Sequence, residues 1–249
     1  MKNKNVVVLG AGESGIGSAI LAKKKGFNVF VSDVNKIKQE VKKTLNKYSI
    51  SYEDGKHSSF NEDNVDLIIK SPGISNESDI IKSLKSNKMK IISEIEFASR
   101  FTDSTIIGIT GSNGKTTTTI LTYEILKRAG LNVEIAGNIG KSFAKIVADK
   151  KFDYCVLELS SFQLDDIVNF SPKYAIITNI TKDHLDRYEN NFNNYIKSKL
   201  RITENQSNKD FLIFNSDDPI LKKMINSKLT KANLHSFSIN NFHSKTKIE

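Results

Sequence analysis

The sequence predicts an α/β protein made of two parallel-sheet units in tandem, on three observations. Short β-branched runs alternate with amphipathic helical stretches, the pattern of βαβ units and hence of parallel sheets. The alternation restarts near residue 104. A glycine-bearing turn follows the opening strand of each half, at 10–15 and again at 111–114.

In the first half, "NVVVLG" (5–10), "FNVFVSD" (27–33), "VDLIIKS" (65–71) and "MKIIS" (89–93) read as strands, with helices expected over 15–25, 35–48 and 78–87. In the second, "STIIGIT" (104–110), "LNVEIAG" (131–137), "DYCVLEL" (153–159), "KYAIITN" (173–179) and "DFLIFN" (210–215) are interleaved with helices over 115–129, 141–149, 191–204 and 217–227. The joint falls in 93–104, where "SEIE" offers a capping box from Ser93 to Glu96 that opens a short helix. The expected domains are 1–92 and 93–249.

Composition narrows the class of function. With 38% hydrophobic and 26% charged residues among 249, the chain is ordinary globular material with a sizeable core. The net charge of +9 is carried almost wholly by lysines spread from Lys2 to Lys247, without aromatic clustering. That argues against nucleic acid as a partner and for a small anionic ligand drawn by a diffuse positive field. Cys155, the sole cysteine, lies in the apolar run "YCVLEL", so no disulfide framework exists and a reducing cytoplasm is expected. No signal-peptide pattern opens the chain and no apolar run nears the ~18 residues of a membrane span, so no membrane partner is expected.

The first turn, "GAGESG", matches GxGxxG through Gly10, Gly12 and Gly15, follows a strand, opens a helix, and has Asp33 at the end of the next strand. Glycine is required there for the tight turn and for close approach of backbone to a pyrophosphate, while the acid about 20 residues on can take ribose hydroxyls. This is a Rossmann-like nucleotide site, with Ser14 in the turn. Glu13 beside it repels a pyrophosphate unless it points outward. Ser71, Pro72 and Gly73 of "SPGIS" end the third strand and face the same crevice. The motif alone does not name the nucleotide, and a glycine turn that only packs a helix remains its alternative reading.

The second turn, "GITGSNGKTTTT" (108–119), is shorter than the usual GxxxxGK(S/T): its glycine, Gly111, stands four residues before Lys115. The strand, loop and helix context is nonetheless complete. Backbone N–H groups of Gly111, Ser112, Asn113 and Gly114 and the helix start at Lys115, Thr116 and Thr117 would cradle phosphates. Lys115 would neutralise the β/γ oxygens and the Thr116 hydroxyl would reach Mg²⁺.

The compact loop Thr110-Gly-x-x-Gly-Lys-Thr116 resembles that of the Mur ligases of peptidoglycan synthesis. "SPGI" (71–74), "AGNIG" (136–140), "LELSSFQL" (157–164), "TNITKDHLDRY" (178–188) and "YIKSKLRI" (195–202) resemble the same family in the same order. The resemblance is nearest to members that add D-glutamate to UDP-N-acetylmuramoyl-L-alanine. It implies a cytoplasmic ATP-dependent amide ligase working through an acyl phosphate, with ATP and Mg²⁺, monomeric at full length. Residues 1–92 would grip the UDP end and the rest the ATP.

The resemblance also implies roles that composition does not. Glu158, costly amid apolar neighbours unless it meets a cation or donor, corresponds to the glutamate that holds Mg²⁺ together with Thr116. Its local alternative is a strand-end salt bridge. His184, by itself an ordinary surface or helix-start histidine, corresponds to a ligand of a second Mg²⁺. Asp183 beside it is either a helix-start residue or a partner of that ligand. Lys199, by default a solvated helix charge, corresponds to a carbamylated lysine, and "KLRI" sets it apart from Lys197. Asn138 corresponds to a substrate contact, with a turn residue as its alternative.

The family's chains are much longer, so the second domain is expected to be an incomplete P-loop ATPase domain and the D-glutamate-binding domain to be absent. The chain as given is expected to bind a UDP-muramoyl ligand without forming the amide. Two rival readings stand beside this: a non-catalytic UDP-sugar-binding fragment, and an NAD-dependent dehydrogenase based on "GAGESG" and Asp33.

Overall fold

The computed structural model describes residues 4–57, 60, 62–226 and 230–240. Among them the elements run β1 (Asn5–Leu9), α1 (Glu13–Lys24), β2 (Asn28–Asp33), α2 (Gln39–Lys47), β3 (Ser51–Asp54), β4 (Leu67–Lys70), α3 (Asp79–Ser86), β5 (Ile91–Ser93) and α4 (Glu94–Ser99). They continue with β6 (Thr105–Thr110), α5 (Lys115–Arg128), β7 (Val133–Gly137), α6 (Phe143–Asp149), β8 (Tyr154–Glu158), α7 (Ser161–Leu164), β9 (Tyr174–Ile177), α8 (Phe192–Leu200), β10 (Phe211–Asn215), α9 (Pro219–Asn226) and β11 (Asn233–Phe237). The two-unit α/β class expected from periodicity is the class observed.

The first sheet has the order β3-β2-β1-β4-β5, every pair parallel. Strand β1 is central, and Val6 to Leu9 are buried because helices cover both sides of a parallel sheet. On one side Val7, Leu9 and Ile68 pack with Ile81 and Leu84 of α3. The order reverses between β1 and β4, so the carboxyl ends of these two strands form the crevice where ligands bind in open α/β sheets.

The second sheet runs β11-β10-β9-β6-β8-β7, again parallel throughout. Ile107, Ile109, Val133 and Val156 form its core, with Tyr123 and Leu126 of α5 against them. Strands β3 and β11 escaped the periodicity argument. "SYED" and "NLHSF" carry no apolar alternation, and each forms at a sheet edge by backbone pairing to β2 and β10.

One compact unit takes in Met1–Thr102, Lys141–Lys151 and Asp165–Val168, and the other Asp103–Gly140, Phe152–Leu164 and Asn169–Glu249. Helix α6 and the short stretch 165–168 thus return to the first unit from the second half of the chain. This explains why α1 is buried around much of its circumference, Ser18 to Ala22 being closed off from solvent. A Cβ on Gly17 would lie 1.9 Å from Ser142 Oγ, so glycine lets α6 approach.

The capping box at the start of α4 is only half formed. Ser93 Oγ accepts the Glu96 N–H at 3.3 Å, but the Ser93 N–H goes to the Asp166 carbonyl at 2.9 Å. The Glu96 carboxylate instead pairs with Arg100 at 2.7 Å and accepts the Val168 N–H at 2.9 Å. The returning stretch supplies partners that a local reading cannot foresee.

Candidate functional site

In the first unit two glycines shape the turn between β1 and α1. Gly10 has φ +92°, a left-handed value, and a Cβ there would meet Ser71 Oγ at 2.7 Å. A Cβ on Gly15 would sit 1.9 Å from the Gly10 carbonyl oxygen, so this glycine seats α1 against the turn. Gly12 has open space around it. A cavity of about 610 Å³ opens there, lined by Gly12, Glu13, Ser14, Asp33, Ser71, Pro72 and Gly73 among others, so this group of expected residues shares one crevice.

Two charges in this crevice are placed in ways the sequence left open. Asp33 accepts the Ala11 N–H on Oδ2 at 2.7 Å and the Asn35 N–H on Oδ1 at 2.8 Å, so it braces the turn from within. Glu13 accepts the Ser142 N–H at 3.4 Å, which draws its charge toward the start of α6. Beneath lies Glu94, 1% exposed, whose Oε1 accepts the Ala144 N–H at 2.9 Å while Oε2 has no hydrogen-bond partner. Burial raises its carboxyl above the ordinary value, against the Ala144 hydrogen bond, and the Glu13 charge adds to the rise. Nothing in the sequence marked Glu94 apart from its place in "SEIE".

In the second unit the loop 111–114 joins β6 to α5. Gly114 is left-handed (φ +79°) at the start of α5, and a Cβ on Gly111 would collide with Thr178 Oγ1 at 2.0 Å. The stretch after β9 clamps this loop. Ser112 donates its N–H to the Asn179 carbonyl at 2.9 Å and its hydroxyl to the Thr181 carbonyl at 2.8 Å. Asn113 donates its N–H to Asn179 Oδ1 at 2.9 Å, and its carbonyl accepts from Thr178 Oγ1 at 2.7 Å. Lys115 folds back to the Ser112 carbonyl at 2.9 Å, and Thr117 follows in the first turn of α5.

Glu158 joins two of the other expected residues, Thr116 and Asn138. Its Oε2 accepts the Thr116 hydroxyl at 2.7 Å and its Oε1 the Asn138 amide at 2.7 Å, while its carbonyl takes the Asn138 N–H at 2.9 Å. Gly137 has φ +105°, and a Cβ there would strike the Glu158 carbonyl at 2.2 Å, so glycine allows β7 and β8 to close on this point. A carboxylate only 1% exposed is held by a hydroxyl and an amide rather than by a salt bridge. Among the described residues no group of three or more His, Cys, Asp or Glu converges as a metal cluster. A carboxylate and a hydroxyl 2.7 Å apart beside the loop 111–114 nevertheless fit Mg²⁺, which takes one or two carboxylates and completes its shell with phosphates and water.

Lys199 is 2% exposed, an unusual depth for a lysine. Its ammonium donates to the Gly111 carbonyl at 2.7 Å and lies 4.7 Å from the centroid of the Tyr195 ring. It therefore touches the backbone of the loop 111–114. Tyr195 in turn pairs with Ser112 at 3.0 Å, and burial raises its phenol. His184 lies on a half-exposed loop, left-handed at φ +48°. Its imidazole lies 3.4 Å from Asp183 and 5.2 Å from the Phe162 ring. Asp183 is thus its partner as well as the acceptor of its N–H at 2.9 Å. Thr178, Asn179 and Thr181 were quoted in "TNIT" without a role, and only their hydrogen bonds show what they hold.

Among the described residues no helix is long and apolar enough to cross a membrane. The family model of the Mur ligase middle domain matches residues 109–249, and that of the MurD N-terminal domain matches 5–80. The chain is 54% identical over 235 residues to a UDP-N-acetylmuramoylalanine--D-glutamate ligase of Bacteroides fragilis, covering 94% of this chain and 53% of that one. It is 48% identical to the ligase of the same name from Porphyromonas gingivalis, with 94% and 52% covered. The chain spans about half the length of these curated relatives. Among solved structures, the UDP-N-acetylmuramate:L-alanyl-gamma-D-glutamyl-meso-diaminopimelate ligase of Neisseria meningitides shares the fold with a TM-score of 0.67 at 18% identity, over 97% of this chain and 79% of that one. A UDP-N-acetylmuramate-alanine ligase of Thermotoga maritima does so with a TM-score of 0.56 at 23% identity, over 96% and 53%. The middle-domain model alone covers more than half of the chain, and together with the N-terminal model over 5–80 it places the protein in the Mur ligase family.

Proposed function

We propose that this chain carries the UDP-substrate and ATP sites of a ligase that joins D-glutamate to UDP-N-acetylmuramoyl-L-alanine in peptidoglycan precursor synthesis. The observation that carries the reading is the Thr116, Glu158 and Asn138 constellation beside Lys115, in a chain 54% identical to ligases of that name. The crevice of the first unit takes the UDP end, and the loop of the second takes ATP. The substrate carboxylate attacks the γ-phosphorus and ADP departs. The amine of D-glutamate then attacks the acyl carbon, loses a proton, and inorganic phosphate leaves.

The chain's own residues orient and neutralise in this scheme. Backbone N–H groups of Gly114 to Thr117 at the start of α5 cradle the phosphates, since those of Ser112 and Asn113, counted among the donors on sequence grounds, are taken by Asn179, and Lys115 exchanges the Ser112 carbonyl for phosphate oxygens. Thr116 and Glu158 would hold one Mg²⁺, and His184 with Lys199 a second. Mg²⁺, when bound, neutralises charge on the transferring phosphoryl group. For Lys199 to act as a ligand its neutral amine must add CO₂ and lose a proton, which turns a cation into a carboxylate-like anion.

Calorimetric titration of the chain with UDP, NAD and Mg-ADP tests the two sites separately. UDP and Mg-ADP are expected to bind and NAD to give no heat. Lys115→Ala should weaken Mg-ADP at least tenfold while leaving UDP within twofold. Binding of NAD without UDP, or a parallel loss of both ligands in the variant, would contradict the reading.

A further inference from the structure

The wall of the first-unit crevice is the turn Ser71 to Ser75, and that turn hangs on a buried cation. Lys70, at the end of β4, is 3% exposed, and its ammonium makes two contacts. It pairs with Asp166 Oδ2 at 2.9 Å and donates to the Ile74 carbonyl at 2.9 Å. The other end of the turn is tied to β1, with the Ser71 N–H on the Leu9 carbonyl at 3.0 Å and Ser71 Oγ 3.4 Å from the Gly10 carbonyl. The Ile74 N–H closes the turn on the Ser71 carbonyl at 3.1 Å. Asp166 is set by the returning stretch 165–168, whose backbone carbonyl takes the Ser93 N–H.

We propose that Lys70 and Asp166 are positioning residues for the UDP end of the substrate, holding the Ser71–Ser75 wall at the distance from the glycine turn that a nucleoside diphosphate requires. The inference rests on the reading of that crevice as the UDP site. A buried ion pair is a poor source of stability, because desolvation of both charges offsets their attraction, and apolar replacements of similar volume are often neutral or stabilising. What this pair does that an apolar pair cannot is fix the Ile74 carbonyl. All five residues of the turn, Ser71 to Ser75, line the cavity. Neither Lys70 nor Asp166 lines it, so they act through the turn.

The test separates folding from binding. In the full chain, the double variant Lys70→Met with Asp166→Leu should melt no lower than the parent, yet bind UDP at least tenfold more weakly by calorimetry. Parent-like UDP affinity in the folded double variant overturns the proposal. If the double variant does not fold, Asp166→Asn keeps the side-chain shape while removing the counter-charge. A threefold or greater loss of UDP affinity in that folded variant supports the assignment, and unchanged affinity overturns it. Absence of UDP binding to the parent itself would overturn the reading of the crevice and this assignment with it.

Discussion

Glu94 shows how far a single residue can depart from what its neighbours in sequence suggest. In "SEIE" it is one acid among two at a helix start, where the helix dipole favours a negative charge. In the structure it is closed off beneath the glycine turn with one oxygen unpartnered and its carboxyl raised above 4.5 chiefly by burial. A raised folded value means that the folded state holds the proton where the unfolded state has released it. The stability Glu94 contributes is therefore full below the unfolded value and is lost as pH rises through the folded one. Glu94→Gln keeps an oxygen for the Ala144 N–H and cannot ionise. It should match the parent in melting temperature near pH 4 and exceed it above neutrality, by roughly 1–3 kcal/mol of stability. Parallel melting curves across that range would show that Glu94 does not titrate as argued.

At the scale of elements, the glycines of the first turn divide between packing and ligand approach. Gly15→Ala puts a Cβ 1.9 Å from a backbone oxygen, where no side-chain rotation can relieve it, so α1 must shift from β1. The expected cost is about 3 kcal/mol, at the upper end for overpacking. Gly12→Ala meets nothing within 4 Å. It should leave stability within about 1 kcal/mol and instead weaken UDP binding, because the added methyl faces the cavity. Urea unfolding and UDP titration of both variants check this. A stable Gly15→Ala chain, or a Gly12→Ala chain with parent affinity, contradicts the division. The spacing GxGxxG announced both glycines, but only the distances say which one serves the helix.

For the whole molecule, each sheet has its own core, and a ligand stabilises only the state that binds it. UDP at about 100 times its Kd should add about 2.7 kcal/mol of protection to amides of β1 and β2, and Mg-ADP should protect β6 and β8. Hydrogen exchange with each ligand alone reads this. Equal protection of both sheets by either ligand would mean that the chain opens as one cooperative body.

Much of this protein was legible before any coordinates. Alternating strands and helices dictated two parallel sheets, because a buried β-branched run beside an amphipathic helix has few other ways to hide its apolar faces. The two glycine turns, with Lys115 and Thr116, stood out because each glycine turn joins a strand to a helix, whereas Glu158 was singled out by the family resemblance. The edge strands β3 and β11 did not stand out, since backbone pairing alone makes them. Nor did the return of α6 and residues 165–168 to the first unit, the clamp of Thr178 and Asn179 on the loop 111–114, or the burial of Lys70, Glu94 and Lys199. These depend on which distant segments meet, and a charge reads the same in sequence whether solvent or a carbonyl 2.7 Å away receives it. Composition and local period are properties of neighbours along the chain, whereas desolvation and partner choice are properties of neighbours in space, and only the folded chain decides those.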